Sequence, residues 1–383
     1  MPRLLCCPVL VHIVDPSAYT PPYDHELCAA LARGGAQVEL YTSRFAHGDA
    51  PAAEGYARHE LFYRAARNAR GGSLRTALKL AEHVPDMLAY RSHARAADVV
   101  HFQWLALQHV DGHLLPRRRP LVLTAHDILP REPRPGALRA QRRLYERFDA
   151  IVVHSEHGRE RLLTEAGVPR ERVHVIPHPA LVHLRAGAGP MASGALRELR
   201  AAPGGNSARA PTAPTALFFG LLRPYKGLDV LVEAWRGVDD AKLWIVGMPR
   251  MDTSALRAAA PANVRFLERF VSDSELRALF QAAALVVLPY READQSGVLF
   301  TALANGRPLL LSDAGGFEEV AHAGAARVVP AGDAQALHAA LVDLLGDFAA
   351  REQMSRRARE LAEGDYAPSA IAARTLALYE SLL

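Results

Sequence analysis

The stretch FFGLLRPYKGLDVLVEAW, Phe218 to Trp235, carries an apolar run directly into a segment of helical periodicity. Apolar side chains recur there at the i, i+3, i+4, i+7 spacing of one helix face, at Leu228, Leu231, Val232 and Trp235. The turn between the two segments holds Arg223 and Lys226, just before Gly227. A strand followed at once by a helix is the repeating unit of parallel α/β sheets, so this stretch predicts that fold class.

Short, β-rich apolar runs alternate with helical segments along most of the chain, which favours parallel sheets flanked by helices. The predicted strands of the first half are LLCCPVLVHIV, QVELYT, DVVHFQW, PLVLTAHDI, AIVVHS and VHVIPHP. Those of the second half are ALFFG, AKLWIVG, VRFLER, ALVVLPY, RPLLLSD and ARVVP. Helices are predicted from Gly227, Asp273, Ser296 and about Phe317, and throughout the last fifty residues.

The chain of 383 residues exceeds the usual size of one domain, roughly 100 to 200 residues, and is expected to form two. An Ala-, Gly-, Pro- and Ser-rich stretch predicts a loop or linker over residues 184–213. We therefore expect one α/β domain over 1–183 and a second over 214–365. A final helix over 366–383 is expected to pack back on the first domain.

Composition indicates a soluble globular protein, since half of the residues are apolar, 22% are charged and the formal net charge is +4. That small excess of positive charge does not indicate a nucleic-acid partner. Cys6, Cys7 and Cys28 match neither a disulfide framework nor a CxxC metal pattern, which favours a reducing compartment. The apolar opening lacks a signal-peptide pattern, and no apolar run approaches the roughly 20 residues that span a bilayer. A cytoplasmic location is expected.

Arg223 and Lys226 lie where a predicted strand ends and a helix begins, which is where parallel sheets bind ligands. Helix N-termini there offer free N–H groups and a positive dipole end. Two cations at such a place repel each other unless an anion binds, so a diphosphate clamp would explain the pair. A solvated basic loop explains it equally well, because Arg and Lys are common in exposed turns.

Two other strand-to-helix junctions in the second half have the same form. Ser296 and Gly297 open a helix after a charged loop, although helix capping alone would explain the serine. Gly315 and Gly316 precede another helix and would let the backbone approach a ligand closely. Glutamates in the first turn of that helix need no functional explanation, since acidic residues are favoured there.

The segments FGLLRPYKGLD, SGVLFTALANGRPLLLSDAGGFEEV, LTAHD, AIVVHSEHGRERL and VHVIPHP resemble those of family 4 glycosyltransferases, which have the GT-B fold. The resemblance covers nearly the whole chain outside the linker, with its motifs in the expected order. It implies two Rossmann-like, doubly wound parallel-sheet domains that face each other across a cleft. It also implies transfer of a hexosyl group from a nucleotide-diphosphate sugar, with UDP or GDP as carrier, held mainly by the second domain.

In this family the cations of the RPYKG-like loop bind the donor's diphosphate, and a GGxxE segment approaches its phosphates and sugar. The first group corresponds to Arg223 and Lys226, with Gly220 beside them, and the second to Gly315, Gly316 and Glu319. The two cations would stabilise the negative charge that develops on the leaving nucleoside diphosphate.

This chain departs from the family pattern at the helix that Gly297 opens. Family members often carry two glutamates that contact the donor sugar and the ribose, and Ala293 and Thr301, eight positions apart, occupy those places here. Glu292 or Asp294 would supply a carboxylate if the loop is shifted, and Thr301 would bind the ribose more weakly than a carboxylate does. The resemblance favours retention of anomeric configuration, but this departure leaves inversion open.

The resemblance assigns the acceptor to the first domain, as a glycan, a lipid-linked sugar or a small molecule. The loop after the first strand offers Tyr19, Tyr23, Asp24 and His25. Its two prolines suit a rigid loop that positions a substrate, although a purely structural turn is nearly as well supported.

Two further strand ends of the first half carry polar or aromatic residues. His126 and Asp127 stand where family members place a histidine near the donor sugar, while a buried histidine paired with an acid is the alternative. Trp104, which follows His101 and Gln103, would stack on a sugar or fill the core. If the reaction inverts, His126, Asp127 or Asp24 would take the acceptor's proton. If it retains, the departing phosphate would serve as the base.

No His or Cys pattern typical of a metal site occurs, and GT-B enzymes as a class need no divalent ion, so we expect neither metal nor other cofactor. PRRRP at 116–120 and RAQRRLYER in the next helix would give the first domain a basic surface. Such surfaces are most often simply solvated. They also attract anionic lipid head groups, which makes peripheral contact with the inner membrane face a hypothesis.

Two other classes of protein remain. Dehydrogenases and P-loop proteins are excluded, since no GxGxxG follows the first strand and no Walker A sequence occurs. A nucleotide-sugar epimerase of related fold would also grip a diphosphate. A non-catalytic, nucleotide-binding descendant would explain the absent glutamates, although the intact Arg223 and Lys226 count against it. The base, the sugar, the acceptor and the oligomeric state stay open, because fold alone does not fix chemistry.

Overall fold

The computed structural model describes residues 8–68, 72–117, 120–129, 136–185, 193–201 and 213–383. The chain forms two compact units. Unit 1 comprises the chain through Pro179 together with Pro368–Leu383, and unit 2 comprises Ala180–Ala367. The described residues do not include Cys6, Cys7, Arg118 and Arg119, nor most of the predicted linker.

Two parallel sheets form the centres of the units. The strands of unit 1 are β1 Leu10–Asp15, β2 Gln37–Ser43, β3 Ala57–Phe62, β4 Val99–Phe102, β5 Leu121–Thr124, β6 Ala150–Val153 and β7 Val173–Val175. Those of unit 2 are β8 Thr215–Phe219, β9 Lys242–Val246, β10 Val264–Leu267, β11 Leu285–Leu288, β12 Leu309–Ser312 and β13 Ala326–Val329.

The α-helices follow the strands in alternation. They are α1 Pro21–Arg33, α2 Gly72–His93, α3 Gln108–Leu114, α4 Ala137–Tyr145, α5 Glu156–Arg161, α6 Gly194–Ala201 and α7 Leu228–Ala234. The remaining ones are α8 Ser254–Ala259, α9 Asp273–Ala282, α10 Gly297–Ala304, α11 Phe317–Ala321, α12 Ala334–Gly346, α13 Phe348–Glu363 and α14 Pro368–Leu382.

The two sheets share one strand order. Unit 1 runs β3-β2-β1-β4-β5-β6-β7 and unit 2 runs β10-β9-β8-β11-β12-β13, with every pairing parallel. The first strand of each unit therefore lies in the middle, and the order reverses next to it, as in doubly wound Rossmann-type sheets. This confirms the predicted fold class, and all twelve predicted strands are present.

The C-terminal helix α14 packs in unit 1, as predicted. The Tyr379 hydroxyl lies 2.7 Å from Nδ1 of His101 in β4, and Nε2 of His101 lies 2.8 Å from the Thr124 hydroxyl. Gly34, which ends α1, faces α14 so closely that a Cβ there would lie 2.8 Å from Leu376. Desolvation lowers the pKa of His101 to about 3, so this buried imidazole is a neutral structural link between sheet and helix.

Strand β3 and helices α2 and α6 are among the elements that the sequence did not predict. Strand β3 is an edge strand that is mostly exposed, so it lacks the apolar alternation that predicts a strand. Helix α2 contains Pro85 and buries only a few of its side chains, which weakens its periodicity. Helix α6 lies inside the segment that was predicted as a loop or linker. It buries Leu196 and Leu199 in the core of unit 2, so that prediction is wrong for this helix.

Candidate functional site

The strand order of unit 2 reverses between β8 and β11. Open parallel sheets bind ligands beside the carboxyl ends of the strands at such a reversal. Residues 220–226 follow β8 and residues 290–296 follow β11. The fold of unit 2 thus brings two of the three predicted junctions to this place on one edge of the sheet.

Lys226 is the central cation of this edge. Its side chain is only 7% exposed, its Nζ donates to the Tyr290 hydroxyl at 2.9 Å, and the ammonium lies 4.7 Å from the centre of the Tyr290 ring. The aromatic face and the hydroxyl both stabilise the positive charge. A buried lysine held in this way is not a solvated loop residue, so the bland explanation of the cation pair does not fit its position.

Two glycines make room for this lysine and its turn. Gly220 has a φ of +125°, and a Cβ there would lie 2.7 Å from Lys226 Nζ. Gly227 has a φ of +66°, and a Cβ there would lie 2.0 Å from the carbonyl oxygen of Pro289. The backbone of the turn after β8 therefore lies so close to the end of β11 that position 227 leaves no room for a Cβ.

Arg223 lies at the start of the same turn, in extended conformation and partly exposed. Its Nε–H is buried and has no hydrogen-bond partner among the described residues. A buried guanidinium donor without a partner is costly unless a ligand satisfies it, which fits an anion at this position.

Arg291 fixes the turn to the segment after β11. Its backbone N–H donates to the Tyr225 carbonyl at 2.7 Å, and its guanidinium makes a bidentate ion pair with Asp229 at 2.6 and 2.8 Å. This guanidinium also lowers the pKa of the Asp229 carboxyl. The pair is largely exposed and stabilises the fold little, but it holds the two segments in register.

The residues at the glutamate positions are buried. Ala293 and Asp294 are each 7% exposed, whereas Glu292 is exposed. Thr301 is 4% exposed and donates its hydroxyl proton to the Gly297 carbonyl at 2.9 Å, within its own helix. Because its proton is used within the helix, this hydroxyl does not donate to a ribose in this arrangement.

Ser296 precedes α10 at the N-cap position, yet its side chain does not cap the helix. Its hydroxyl lies 3.4 Å from the Tyr290 hydroxyl, next to Lys226, and Gly297 after it is exposed. The serine belongs to the polar chain that ends on the lysine. The capping explanation of this serine is wrong.

The third predicted junction lies one strand further along the sheet, after β12. Gly315 has a φ of +60°, and Gly316 is the N-cap of α11. Glu319 is exposed in the first turn of that helix. The Ser312 hydroxyl donates to the Tyr290 carbonyl and so connects the end of β12 to the residue that holds Lys226.

Sequence reasoning missed Tyr290 and Gly247 at this site. Gly247 has a φ of +154°, and a Cβ there would lie 1.8 Å from the Gly220 carbonyl oxygen. Both residues end predicted strands, in ALVVLPY and AKLWIVG, and that position is the one signal that would have identified them.

In unit 1, three aromatic rings stack near the carboxyl ends of β1, β4 and β5. The Tyr19 and Trp104 ring centres lie 5.0 Å apart, and those of Trp104 and His126 lie 4.8 Å apart with an interplanar angle of 13°. Trp104 donates its indole N–H to the Thr20 hydroxyl at 2.9 Å. Tyr19 is 67% exposed, and Asp127 beside His126 is also exposed. This stack offers an aromatic surface on which a sugar ring can pack.

The other predicted residues of the first loop are buried. Tyr23 is 4% exposed and lies against the rings of His126, His154 and His178. His25 is 3% exposed, with its Nδ1 3.1 Å from the Tyr56 hydroxyl. These placements support the structural role that the sequence left open, and Tyr19 remains as the exposed residue of the loop.

Asp24 forms a buried pair with Asp15, at 1% and 0% exposure. Asp15 accepts the backbone N–H groups of Ser17 and Tyr19 at 3.1 and 2.5 Å. Burial raises the pKa of both carboxyls, that of Asp24 well above its ordinary value, and the neighbouring carboxylate raises it further. A proton shared by the two oxygens relieves the repulsion.

Asp24→Asn is expected to increase the free energy of unfolding at neutral pH. The folded state keeps a proton that the unfolded state releases above its carboxyl pKa of about 4, so the wild type loses stability as pH rises from there toward the raised pKa. The amide removes that loss. Urea denaturation from about pH 4 to about pH 8 should give a flatter profile for the variant.

Asp252→Asn is the matched control, because this aspartate is exposed and its pKa is lowered by hydrogen bonds from Ser254. It should not gain stability. An Asp24→Asn variant that is less stable than the wild type at neutral pH would contradict this prediction.

Within the described residues, no helix is both long and apolar enough to cross a membrane. The described residues also contain no group of three or more His, Cys, Asp or Glu side chains arranged to hold a metal ion. Cys28 is buried as a free thiol.

Solved structures define the class of this fold. Sucrose-phosphate synthase from Thermosynechococcus elongatus matches with a TM-score of 0.73 at 19% identity, over 98% of this chain and 99% of that one. An Anabaena protein crystallised with UDP matches with a TM-score of 0.70 at 18% identity, over 98% and 100% of the two chains. The fold is the GT-B fold of glycosyltransferases.

The sequence identifies the family. Residues 213–347 match the model of Glycosyl transferases group 1, and residues 23–180 match that of Glycosyltransferase Family 4. A D-inositol 3-phosphate glycosyltransferase of Jonesia denitrificans is 30% identical over 311 residues, which are 74% of this chain and 71% of that enzyme. The chain belongs to the group 1, family 4 glycosyltransferases.

Two further relatives match over shorter stretches. A GDP-mannose:glycolipid 4-beta-D-mannosyltransferase of Xanthomonas campestris is 42% identical over 100 residues, 24% of this chain and 29% of that enzyme. A phosphatidyl-myo-inositol mannosyltransferase of Mycobacterium leprae is 36% identical over 178 residues, 44% and 46% of the two chains. The chain thus spans less than half the length of these two relatives.

Proposed function

We propose that this protein transfers a hexosyl group from a nucleotide-diphosphate sugar to a hydroxyl group of a glycan, lipid-linked or small-molecule acceptor. Unit 2 binds the donor at the carboxyl ends of β8 and β11. Unit 1 binds the acceptor beside Tyr19 and Trp104. We include retention of anomeric configuration in the proposal, because family 4 enzymes often retain it.

The buried Lys226 is the observation that carries this proposal. Its ammonium lies at the reversal of strand order, held by Tyr290, while the nearby Arg223 has a buried N–H without a partner among the described residues. When the sugar–phosphate bond breaks, negative charge develops on the nucleoside diphosphate. Fixed cations at that place stabilise the charge without reorganisation, typically by several kcal/mol.

The relatives support this class of donor and acceptor. The Xanthomonas relative is named for GDP-mannose and a glycolipid, and the Mycobacterium relative for phosphatidyl-myo-inositol. The Jonesia relative is named for D-inositol 3-phosphate, a small molecule. Lipid-linked and small-molecule acceptors both occur among these names, which supports including both in the proposal.

A nucleotide-binding protein without transferase activity is the second candidate. Ala293 and Thr301 leave no carboxylate at the two positions where the family often has glutamates, and Thr301 is bonded within its own helix. An epimerase is a weaker alternative. A putative UDP-N-acetylglucosamine 2-epimerase of Listeria monocytogenes has a TM-score of 0.62 at 15% identity, which shows the shared fold alone.

A thermal-shift screen of UDP, GDP, TDP and ADP tests the donor site. One nucleotide is expected to raise the melting temperature by several degrees, because a ligand at 100 times its Kd adds about 2.7 kcal/mol to the stability of the folded state. Lys226→Met should abolish this shift. Indifference of the wild type to every nucleotide and to the corresponding sugars would overturn the proposal.

The nucleotide found in that screen then names the sugars to test. Product analysis then separates the three candidates. A transferase gives a glycosylated acceptor, an epimerase gives an isomerised sugar, and a nucleotide-binding protein gives no product. An NMR spectrum of the product's anomeric proton distinguishes retention from inversion.

A further inference from the structure

A chain of hydrogen-bonding groups runs across the carboxyl ends of four strands in unit 1, β4 to β7. His154 Nδ1 lies 2.9 Å from the carbonyl oxygen of Ile176, and His154 Nε2 lies 3.3 Å from His126 Nδ1. His126 Nε2 in turn lies 3.3 Å from the side-chain amide of Gln103. Two imidazoles thus connect a backbone carbonyl to a buried amide.

The carbonyl at one end fixes the proton positions along this chain. A carbonyl oxygen only accepts, so His154 must carry its proton on Nδ1 and donate it to Ile176. In a neutral ring, Nε2 of His154 is then an acceptor, and His126 must donate its Nδ1–H to it. The proton of His126 is therefore on Nδ1, and its Nε2 has a lone pair.

Both rings are neutral at physiological pH. Desolvation lowers the pKa of His154 to about 4, and desolvation followed by the charges of neighbouring histidines lowers that of His126 well below its usual value. The titratable groups around His126 are Tyr23 of α1, His101 of β4, His154 after β6 and His178 after β7. Protonating more than one of these imidazoles would place like charges next to one another.

The Gln103 amide accommodates this tautomer once its two terminal atoms are exchanged. Its side chain is 1% exposed, its Oε1 faces His126, and its Nε2 is buried without a partner among the described residues. Exchange of the two amide atoms places the NH₂ group against the His126 lone pair. That orientation turns an acceptor–acceptor contact into a hydrogen bond and leaves Oε1, in place of the nitrogen, at the buried position without a partner among the described residues.

We propose that His154 is a positioning residue that holds His126 as the neutral Nδ1–H tautomer, so that the lone pair of His126 Nε2, which faces the Gln103 amide in the free protein, accepts a hydrogen bond from a substrate hydroxyl in the complex. This inference rests on the proposed function. His126 is partly exposed and stacked on Trp104, so its ring is fixed beside the aromatic surface assigned to the sugar. A phosphate oxygen only accepts and is repelled by this nitrogen, whereas a hydroxyl donates to it.

The sequence separates the two histidines by 28 positions, and nothing in it indicates that they touch. They meet because β5 and β6 are neighbours in the sheet and each histidine lies just beyond the end of its strand. A sequence reading therefore assigns a role to His126 alone. The contact with His154 is what fixes which nitrogen of His126 carries the proton.

Long-range ¹H–¹⁵N correlation spectra of the full chain, labelled at histidine nitrogen, test the tautomers without any substrate. His126 and His154 are both expected as Nδ1–H tautomers near neutral pH. In His154→Phe, which keeps a ring but removes both nitrogens, His126 should change to the Nε2–H tautomer and donate to Gln103. His154→Gln offers an amide donor and an acceptor, and should restore the wild-type tautomer.

Transfer assays complete the test. His154→Phe should lower kcat/KM roughly tenfold, the effect of one lost hydrogen bond to a hydroxyl, and His154→Gln should recover most of it. A wild-type spectrum with His126 protonated on Nε2, or on both nitrogens, overturns the inference even if the variants do not fold. If the spectra show the expected tautomers but the protein transfers no sugar, the role of His154 in setting the tautomer stands and the proposed function is overturned.

Discussion

Lys226→Ala is expected to lower the rate of sugar transfer by about 100-fold or more, which is the usual effect of removing one preorganised charge-stabilising group. Lys226 is 7% exposed and its Nζ lies 2.9 Å from the Tyr290 hydroxyl, so water has little access to this position and does not replace the lost charge. The measurement is kcat/KM with the nucleotide sugar found in the thermal-shift screen.

Further variants separate the loss of the charge from a simple loss of structure and test the partners of the lysine. Lys226→Met keeps the apolar stem and removes only the charge, so it should lose activity like the alanine variant while unfolding at nearly the wild-type urea concentration. Tyr290→Phe keeps the ring and removes the hydroxyl contact, so it should have an intermediate effect. Arg223→Ala should also reduce transfer, and the double variant should lose less than the product of the two single effects, because both cations address one diphosphate. Full activity of Lys226→Met would contradict the role of the lysine.

Gly227→Ala is expected to cause a large loss of stability, about 2 to 4 kcal/mol. The φ of +66° is unfavourable for any residue with a Cβ, and that Cβ would lie 2.0 Å from the Pro289 carbonyl oxygen. The left-handed conformation alone costs roughly 1 kcal/mol, and overpacking adds typically 1 to 3 kcal/mol. Urea denaturation of the purified variant measures the loss.

Gly237→Ala separates these two contributions. This glycine has a φ of +84°, and the nearest atom to an added Cβ is 3.8 Å away, in His338. It should lose only about 1 kcal/mol, the conformational part. Equal losses for the two variants would show that the turn after β8 relaxes away from β11, and that the close approach does not fix Lys226.

The alternation of strands and helices could be predicted from the sequence because both central sheets are buried. ALVVLPY and RPLLLSD contain continuous apolar runs, and such runs are the local signature of a strand covered on both faces. Strand β3 and helix α2 expose most of their side chains, so their apolar pattern is weak and local reasoning missed them. Helix α6 is short, and its amphipathic face is visible only against its neighbours.

The candidate site was only partly predictable for a similar reason. Arg223, Lys226 and the glycines around them stand in one short stretch, so their chemistry could be inferred from neighbouring letters. Tyr290 is 64 positions from Lys226 in the chain and lies against it because β8 and β11 are adjacent. The burial of Tyr23, Asp24 and His25 likewise depends on how α1 packs, which no loop composition reveals.

The sequence by itself determined that two α/β halves follow each other and that two cations lie in the turn after the first strand of the second half. Periodicity and turn chemistry are properties of residues close in the chain, and local physics is sufficient to infer them. Only the tertiary structure decided that Lys226 is buried against an aromatic ring and that His154 sets the proton position of His126. Both depend on the order of strands in a parallel sheet, which brings together side chains that lie far apart in sequence.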